Sequence, residues 1–472
     1  MRVFLPFAVA LAGCVANPSD QPTSSGSGAA DGSGSTTCGP SARLQAIIDA
    51  TRDVIDLGTV SPERYLSLRN AGDPTVLIDG PQIFPAFREA IASAQHEVDL
   101  QTYVWEVGSD PANEILAGLS ELARRRAVDA PDAPPVIVRF LFDASTLNFG
   151  SRVDTLPLMW ASVDALALDP KHVQFELAGF YHLAMGNLHV KTLVVDGERA
   201  IVTGANPQAH HNYAQPWRDA GYKLAGEVAL SLRDDFASAW QLGQLWTCGA
   251  TNNPDFLRCS APTEPLAALV PASLPAGACA PMLVVTRQAD ANPLSNRIDN
   301  TQDQAFIAAF ASATDHIRMQ TPNLNDDAAK AALVAAIERG VHVEIVLSKS
   351  FNDDSEVAPG QGGTNDDNVA KLYATLAADH VANACELLKI HWYSQDGGLT
   401  AVEGNGIYAS HAKYTSIDDA LVIVGTANMD TQSWNNSREV NVVVDSTQLA
   451  RSWDEQLFLP DFDGGIGVET CP

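Results

Sequence analysis

His189-Val-Lys191-Thr-Leu-Val-Val-Asp196 and His411-Ala-Lys413-Tyr-Thr-Ser-Ile-Asp418 share the form HxKxxxxD. Asn206 follows His189 at the same interval at which Asn428 follows His411. A second, independent similarity has nearly the displacement that separates the two histidines: Phe87–Tyr103 (FREAIASAQHEVDLQTY) aligns with Phe306–Pro322 (FIAAFASATDHIRMQTP). One motif alone is a weak signal. Two, in register with a separate repeat and with a matching asparagine, mark a duplicated unit.

Each copy reads as an amphipathic helix running into a short strand that ends in Gln-Thr. A second helix follows (Ala112–Arg126; Asp327–Arg339), and an apolar strand closes the unit (Val136–Phe142; Val341–Leu347). Alternating strands and helices predict an α/β fold in which two homologous half-domains each carry a mixed, largely parallel sheet flanked by helices. The site is expected at the interface of the halves. The first half is expected over 41–262, a Pro- and Ala-rich linker over 263–285, and the second half over 286–472.

The start of the chain reads as an export signal. Arg2 precedes the apolar run Val3–Ala12, and Leu11-Ala12-Gly13-Cys14 has the form of a lipobox. Residues 1–14 thus read as a lipoprotein signal, with Cys14 as the acylated anchor. Residues 15–40, rich in Ser, Gly, Thr and Asp, are expected to be a flexible tether. The expected location is the bacterial cell envelope, lipid-anchored on a periplasmic or outer-membrane face. Six further cysteines (Cys38, Cys248, Cys259, Cys279, Cys385, Cys471) fit disulfides of unspecified pairing.

The chain has 472 residues, 46% hydrophobic and 18% charged, as a folded globular protein has. Its 57 acidic residues exceed its 29 basic ones, giving a net charge of −28. Such a surface repels polyanions and disfavours nucleic acid as a partner.

Chemistry explains the motif. On a strand, His and Lys two positions apart share a face, so each half presents an imidazole beside an ammonium. Joining the halves surrounds one small site with two of each. Fixed cations and amide donors stabilise the charge that builds on a phosphodiester during displacement, with no metal or other cofactor required. One neutral imidazole attacks phosphorus and forms a phosphohistidine; the other, protonated, supplies the leaving group and then activates water or an alcohol.

Over residues 75 to 460 the chain resembles the phospholipase D superfamily of the two-motif kind, similar to bacterial cardiolipin synthases and phospholipases D. Trp217-Arg-Asp219, Gly425-Thr-Ala-Asn428 and Glu439-Val440 carry the resemblance further. It implies a phosphodiesterase or phosphatidyltransferase acting on glycerophospholipids, with a monomeric chain. The catalytic set is His189, Lys191, Asp196, His411, Lys413 and Asp418. Within it His189 would attack and His411 donate, roles that exchange without changing the chemistry, while Asp196 and Asp418 support the strand-turn geometry. Asn206 and Asn428 would hold phosphoryl oxygens, and Asp219 and Glu439 would fix the tautomers of neighbouring histidines. Gln432 and Ser437 depart from the cardiolipin synthase pattern near the expected mouth, which leaves headgroup preference open. A secreted endonuclease and a catalytically silent phosphate-binding lipoprotein are the competing readings. His210-His211 reads as a solvated pair, with a metal site as the lesser alternative.

Overall fold

The computed structural model describes residues 38–144, 155–182, 185–245, 266, 279–292 and 294–468. The expected signal, Cys14 and nearly all of the tether lie outside these residues. Strands in chain order are β1 (Leu66–Ser67), β2 (Asn70–Gly72), β3 (Leu77–Ile78), β4 (Glu97–Thr102), β5 (Val136–Asp143), β6 (Val173–Phe180), β7 (Thr192–Val195), β8 (Arg199–Thr203), β9 (Ala220–Gly226) and β10 (Gly243–Leu245). They continue as β11 (Met282–Arg287), β12 (His316–Thr321), β13 (His342–Leu347), β14 (Leu388–Trp392), β15 (Tyr414–Ile417), β16 (Leu421–Gly425), β17 (Glu439–Asp445) and β18 (Ile466–Gly467).

Two sheets result. One runs β10-β6-β5-β4-β7-β8-β9-β2, with β3 also on β9; the other runs β1-β11-β17-β16-β15-β12-β13-β14-β18. Reading outward from β4 and β12 gives the same order in both, the duplication seen in sequence. The sheets are mixed as expected, but less parallel than expected. Among these strands only β4-β5-β6 and β12-β13-β14 run parallel, joined through helices such as Asp110–Asp129 and Asp327–Glu338. Beyond them the chain turns back in tight hairpins, which force antiparallel pairing. Asp196 (φ 55°) opens the β7–β8 turn and Asp418 (φ 50°) the β15–β16 turn, both left-handed conformations that Asp tolerates better than most residues.

The first-half boundary also shifts. Helix Ala42–Thr51 buries Leu44 and Ile47 in the second half's apolar core, and β1 pairs with β11. The beginning of the described chain therefore covers the outer edge of the second sheet, where an open ladder would otherwise face water. The expected 263–285 linker likewise ends inside β11. Cys38 and Cys279 form a disulfide beside this crossing, and Cys385 is disulfide-bonded as well.

Three main cores hold the layers. Each half has its own between sheet and outer helices, around Phe84, Phe140 and Leu119 in the first and Phe306, Ile345 and Trp434 in the second. A third core lies between the halves and joins Val190, Val202 and Tyr222 to Tyr414, Val424 and Trp453. No helix among the described residues is long and apolar enough to cross a membrane. The stretch 352–368 holds a one-turn helix (Asp353–Glu356) and the start of helix Asn365–Ala378, capped by Thr364.

Candidate active site

The halves are stitched together where the motifs begin. Short parallel bridges join Leu188 to Arg438 and Arg218 to Ser410. The His189 amide donates to the Arg438 carbonyl (3.0 Å) and the His411 amide to the Arg218 carbonyl (2.7 Å). Each histidine is thus positioned by backbone from the opposite half.

The carboxylates cross in the same way. His189 Nδ1 donates to Glu439 Oε1 (2.7 Å), and His411 Nδ1 donates to Asp219 Oδ2 (2.9 Å). Asp219 and Glu439 do orient histidines as expected, but each serves the histidine of the other half. With Nδ1 bonded outward, Nε2 is left for chemistry. The lysines lie beneath: Lys191 Nζ donates to the His189 carbonyl (2.6 Å) and Lys413 Nζ to that of His411. Both are buried.

Sequence reading misses the residues that brace this crossing. Arg438, ahead of Glu439, is buried and donates to Asp235 Oδ1 (2.6 Å), whose other oxygen accepts from Gln101 Nε2 (2.7 Å). Arg218, ahead of Asp219, donates to Asp461 Oδ2 (2.8 Å), which accepts from Gln320 Nε2 (2.8 Å). Gln101 and Gln320 are the glutamines of the repeated Gln-Thr, so the signal is present in the repeat itself. Each links its own strand to the arginine arriving from the other half.

Asn206 Oδ1 accepts from Thr102 Oγ1 (3.3 Å) and the Val104 amide (3.2 Å), which aims its amide nitrogen the other way as a donor. Asn428 is held differently, with Nδ2 donating to Asp430 Oδ2 (2.8 Å). Asp196 and Asp418, named with the motif, take the strand-turn role expected of them. Asp196 accepts from the amides of Gln95, His96 and Glu97, and Asp418 from those of Thr314, Asp315 and His316. Each therefore clamps the start of the central strand at the hairpin end, a full strand's length from its motif histidine. Gln432 donates to the Met185 carbonyl (2.7 Å) and so bridges the halves. Trp217, Trp392, Tyr393 and Trp434 are buried and pack; Trp217 lies 5.2 Å from the His411 ring.

The two pairs are electrostatically unequal. Glu439 also accepts from Thr426 Oγ1 (2.6 Å) and Ser433 Oγ (2.7 Å). Burial pushes its carboxyl up, but His189, Lys191 and the Thr426 hydroxyl outweigh that and leave it below the ordinary value. Asp219 lacks those hydroxyls, and burial leaves its carboxyl raised despite Lys413. Burial lowers the proton affinity of His189, with Glu439 partly restoring it. His411 falls well below the usual imidazole range through burial and the charges of Lys413, Lys191 and His189, so the two imidazoles share one electrostatic site. Lys413 drops to about 8 by burial.

A duplicated chain that sets each motif histidine against the carboxylate of the opposite half is built as a two-motif, phospholipase D-like protein. The family model described as "Cardiolipin synthase, PLD-like domain" matches residues 306–458. Over those residues the chain is similar to the phospholipase D-like family, and the first half repeats their plan. It is 24% identical to a cardiolipin synthase 1 of Bacillus anthracis, over 77% of this chain and 62% of that protein. It is also 24% identical to a cardiolipin synthase A of Pseudomonas entomophila, over 82% and 68%. It thus spans about two thirds of the length of the curated relatives it matches. Its fold is that of a Haemophilus influenzae phosphatidylserine synthase, with a TM-score of 0.60 at 15% identity, covering 90% of this chain and 92% of that one.

Proposed function

We propose that the protein is a phosphodiesterase or phosphatidyltransferase acting on glycerophospholipids through a covalent phosphohistidine. The observation that carries this reading is the reciprocal pairing of His189 with Glu439 and His411 with Asp219 across the interface. Attack by His189 Nε2 on phosphorus leaves positive charge on its ring. Glu439, kept ionised by three donors, neutralises that charge, which supports His189 as the nucleophile. Lys191, Lys413 and the Asn206 amide are suited to meet the phosphoryl oxygens. The arriving phosphodiester anion offsets the lysine charges that depress His411, so His411 takes up a proton with substrate and delivers it to the departing oxygen. In the second half-reaction His411 takes the proton of water or an alcohol, whose oxygen attacks phosphorus and frees His189.

Cardiolipin is a pair of phosphatidyl groups on one glycerol, so the names of the curated relatives support phosphatidylglycerol as donor and acceptor. The lipobox supports a Cys14 anchor that holds the site at a membrane face. The test is to incubate purified protein with phosphatidylglycerol vesicles and follow glycerol, phosphatidic acid and cardiolipin by mass spectrometry. Headgroup release by the native chain, lost in His189→Ala and His411→Ala, is expected. A folded native protein that releases none would remove the reading.

A further inference from the structure

His211 is used by nothing described so far. It follows His189 at the interval at which Ser433 follows His411, so the two are counterparts in the repeat. Ser433 donates its hydroxyl to Glu439. His211 makes no such bond: its Nε2 stays 3.9 Å from Asp219 Oδ2. The ring is fully buried, and neither nitrogen has a hydrogen-bond partner among the described residues. Buried polar groups are normally paired, and an orphan costs about 1–3 kcal/mol. This orphan stands beside Asp219, which already holds His411 Nδ1.

One ligand atom from each of His211, Asp219 and His411 lies within 4.8 Å of the others. Tetrahedral ligands at about 2.0–2.2 Å from an ion stand about 3.3–3.6 Å apart, so small side-chain rotations close the set. Two imidazoles and one carboxylate suit a borderline-soft ion such as Zn²⁺ and not Mg²⁺ or Ca²⁺.

We propose that His211, Asp219 and His411 form a transition-metal site at which Zn²⁺ reversibly inhibits the enzyme. Binding replaces the hydrogen bond between His411 and Asp219 with coordination. The Nδ1 lone pair of neutral His411 goes to the ion, and the ring proton moves to Nε2. No electron changes hands and no proton need leave. With Nε2 protonated and the ring tied to the ion, His411 has no lone pair left to accept the proton of water or alcohol, and turnover stops. The Lys191 and Lys413 ammonium groups oppose a second cation, which keeps the site weak enough to be reversible. Occupancy stands apart from the proposed reaction; inhibition rests on it.

The experiment uses the tag-free protein. Binding of Zn²⁺ is measured by titration calorimetry, and Co²⁺ substitution by its visible d–d absorption. One ion per chain is expected, with affinity falling about tenfold or more in His211→Phe and unchanged in His210→Ala. Phe fills the same buried volume and loses no hydrogen bond; His211→Asn serves if Phe does not fold. Equal Zn²⁺ affinity in native protein and a folded His211 variant, or no binding by the native protein, overturns the site. Where phosphodiesterase activity is measurable, Zn²⁺ should abolish it, EDTA should restore it, and His211→Phe should resist inhibition relative to its own zinc-free rate. Binding without any zinc-free activity would retain the site and sink the reaction.

Discussion

Glu439→Gln isolates the charge behind His189. The glutamine carbonyl can still accept from His189 Nδ1 and the Ser433 hydroxyl, and the Thr426 hydroxyl can rotate to accept from its amide. Geometry is therefore retained while the negative charge goes. In the phosphohistidine the ring charge sits about 4 Å from the carboxylate, and at an effective dielectric of about 20 that pair is worth about 4 kcal/mol. A neutral acceptor keeps about 1 kcal/mol of it. The remaining loss of about 3 kcal/mol corresponds to roughly a hundredfold slower formation of the covalent adduct. Rapid-quench measurement of first-turnover headgroup release, with melting curves to confirm folding, reads this directly. A folded Glu439→Gln protein within about threefold of the native first-turnover rate would refute the assigned role of the charge.

Arg438→Met leaves Asp235 buried without its guanidinium partner, and loss of about 3–5 kcal/mol is expected in urea unfolding; adding Asp235→Leu should recover part of it. Gly204→Ala would drive a Cβ into Asp219 Oδ1, pushing that carboxylate off His411. Activity should then fall by about a hundredfold while the secondary structure by circular dichroism stays unchanged. Glu356 is raised from 4.5 to about 9 by burial and by Asp430, which anchors Asn428. The folded chain keeps that proton where the unfolded chain has released it, so stability declines as pH rises from about 4.5 towards 9. Glu356→Gln should raise the Tm by several degrees at pH 8 and leave it unchanged at pH 4.

The two carboxylates, Asp219 and Glu439, come from the family resemblance alone, whereas sequence itself carries the duplication, the two-sheet α/β plan, and the identities of His189, His411, their lysines and their asparagines. These are legible because the chemistry fixes residue types at set spacings, and duplication prints them twice. The crossing is not legible: nothing in the order of residues says that Asp219 faces His411 when His189 lies far nearer in the chain. Strand direction is over-read as parallel because apolar runs look alike in parallel and antiparallel pairs, and the hairpin signal at Asp196-Gly197 is hidden inside the motif. His211 reads as solvated because it is half of a His-His pair, whereas the ring enters the site and only its neighbour His210 stacks on the outer side of Trp217.

The account requires two imidazoles to act in turn on one phosphorus. Protein mixed with phosphatidylglycerol labelled in its phosphate, quenched in base and mapped by peptide mass spectrometry, should carry the lipid-linked phosphate on His189, and His411→Asn, which lacks the acid for the departing oxygen, should form far less of it. Label on neither histidine during measurable turnover would contradict it.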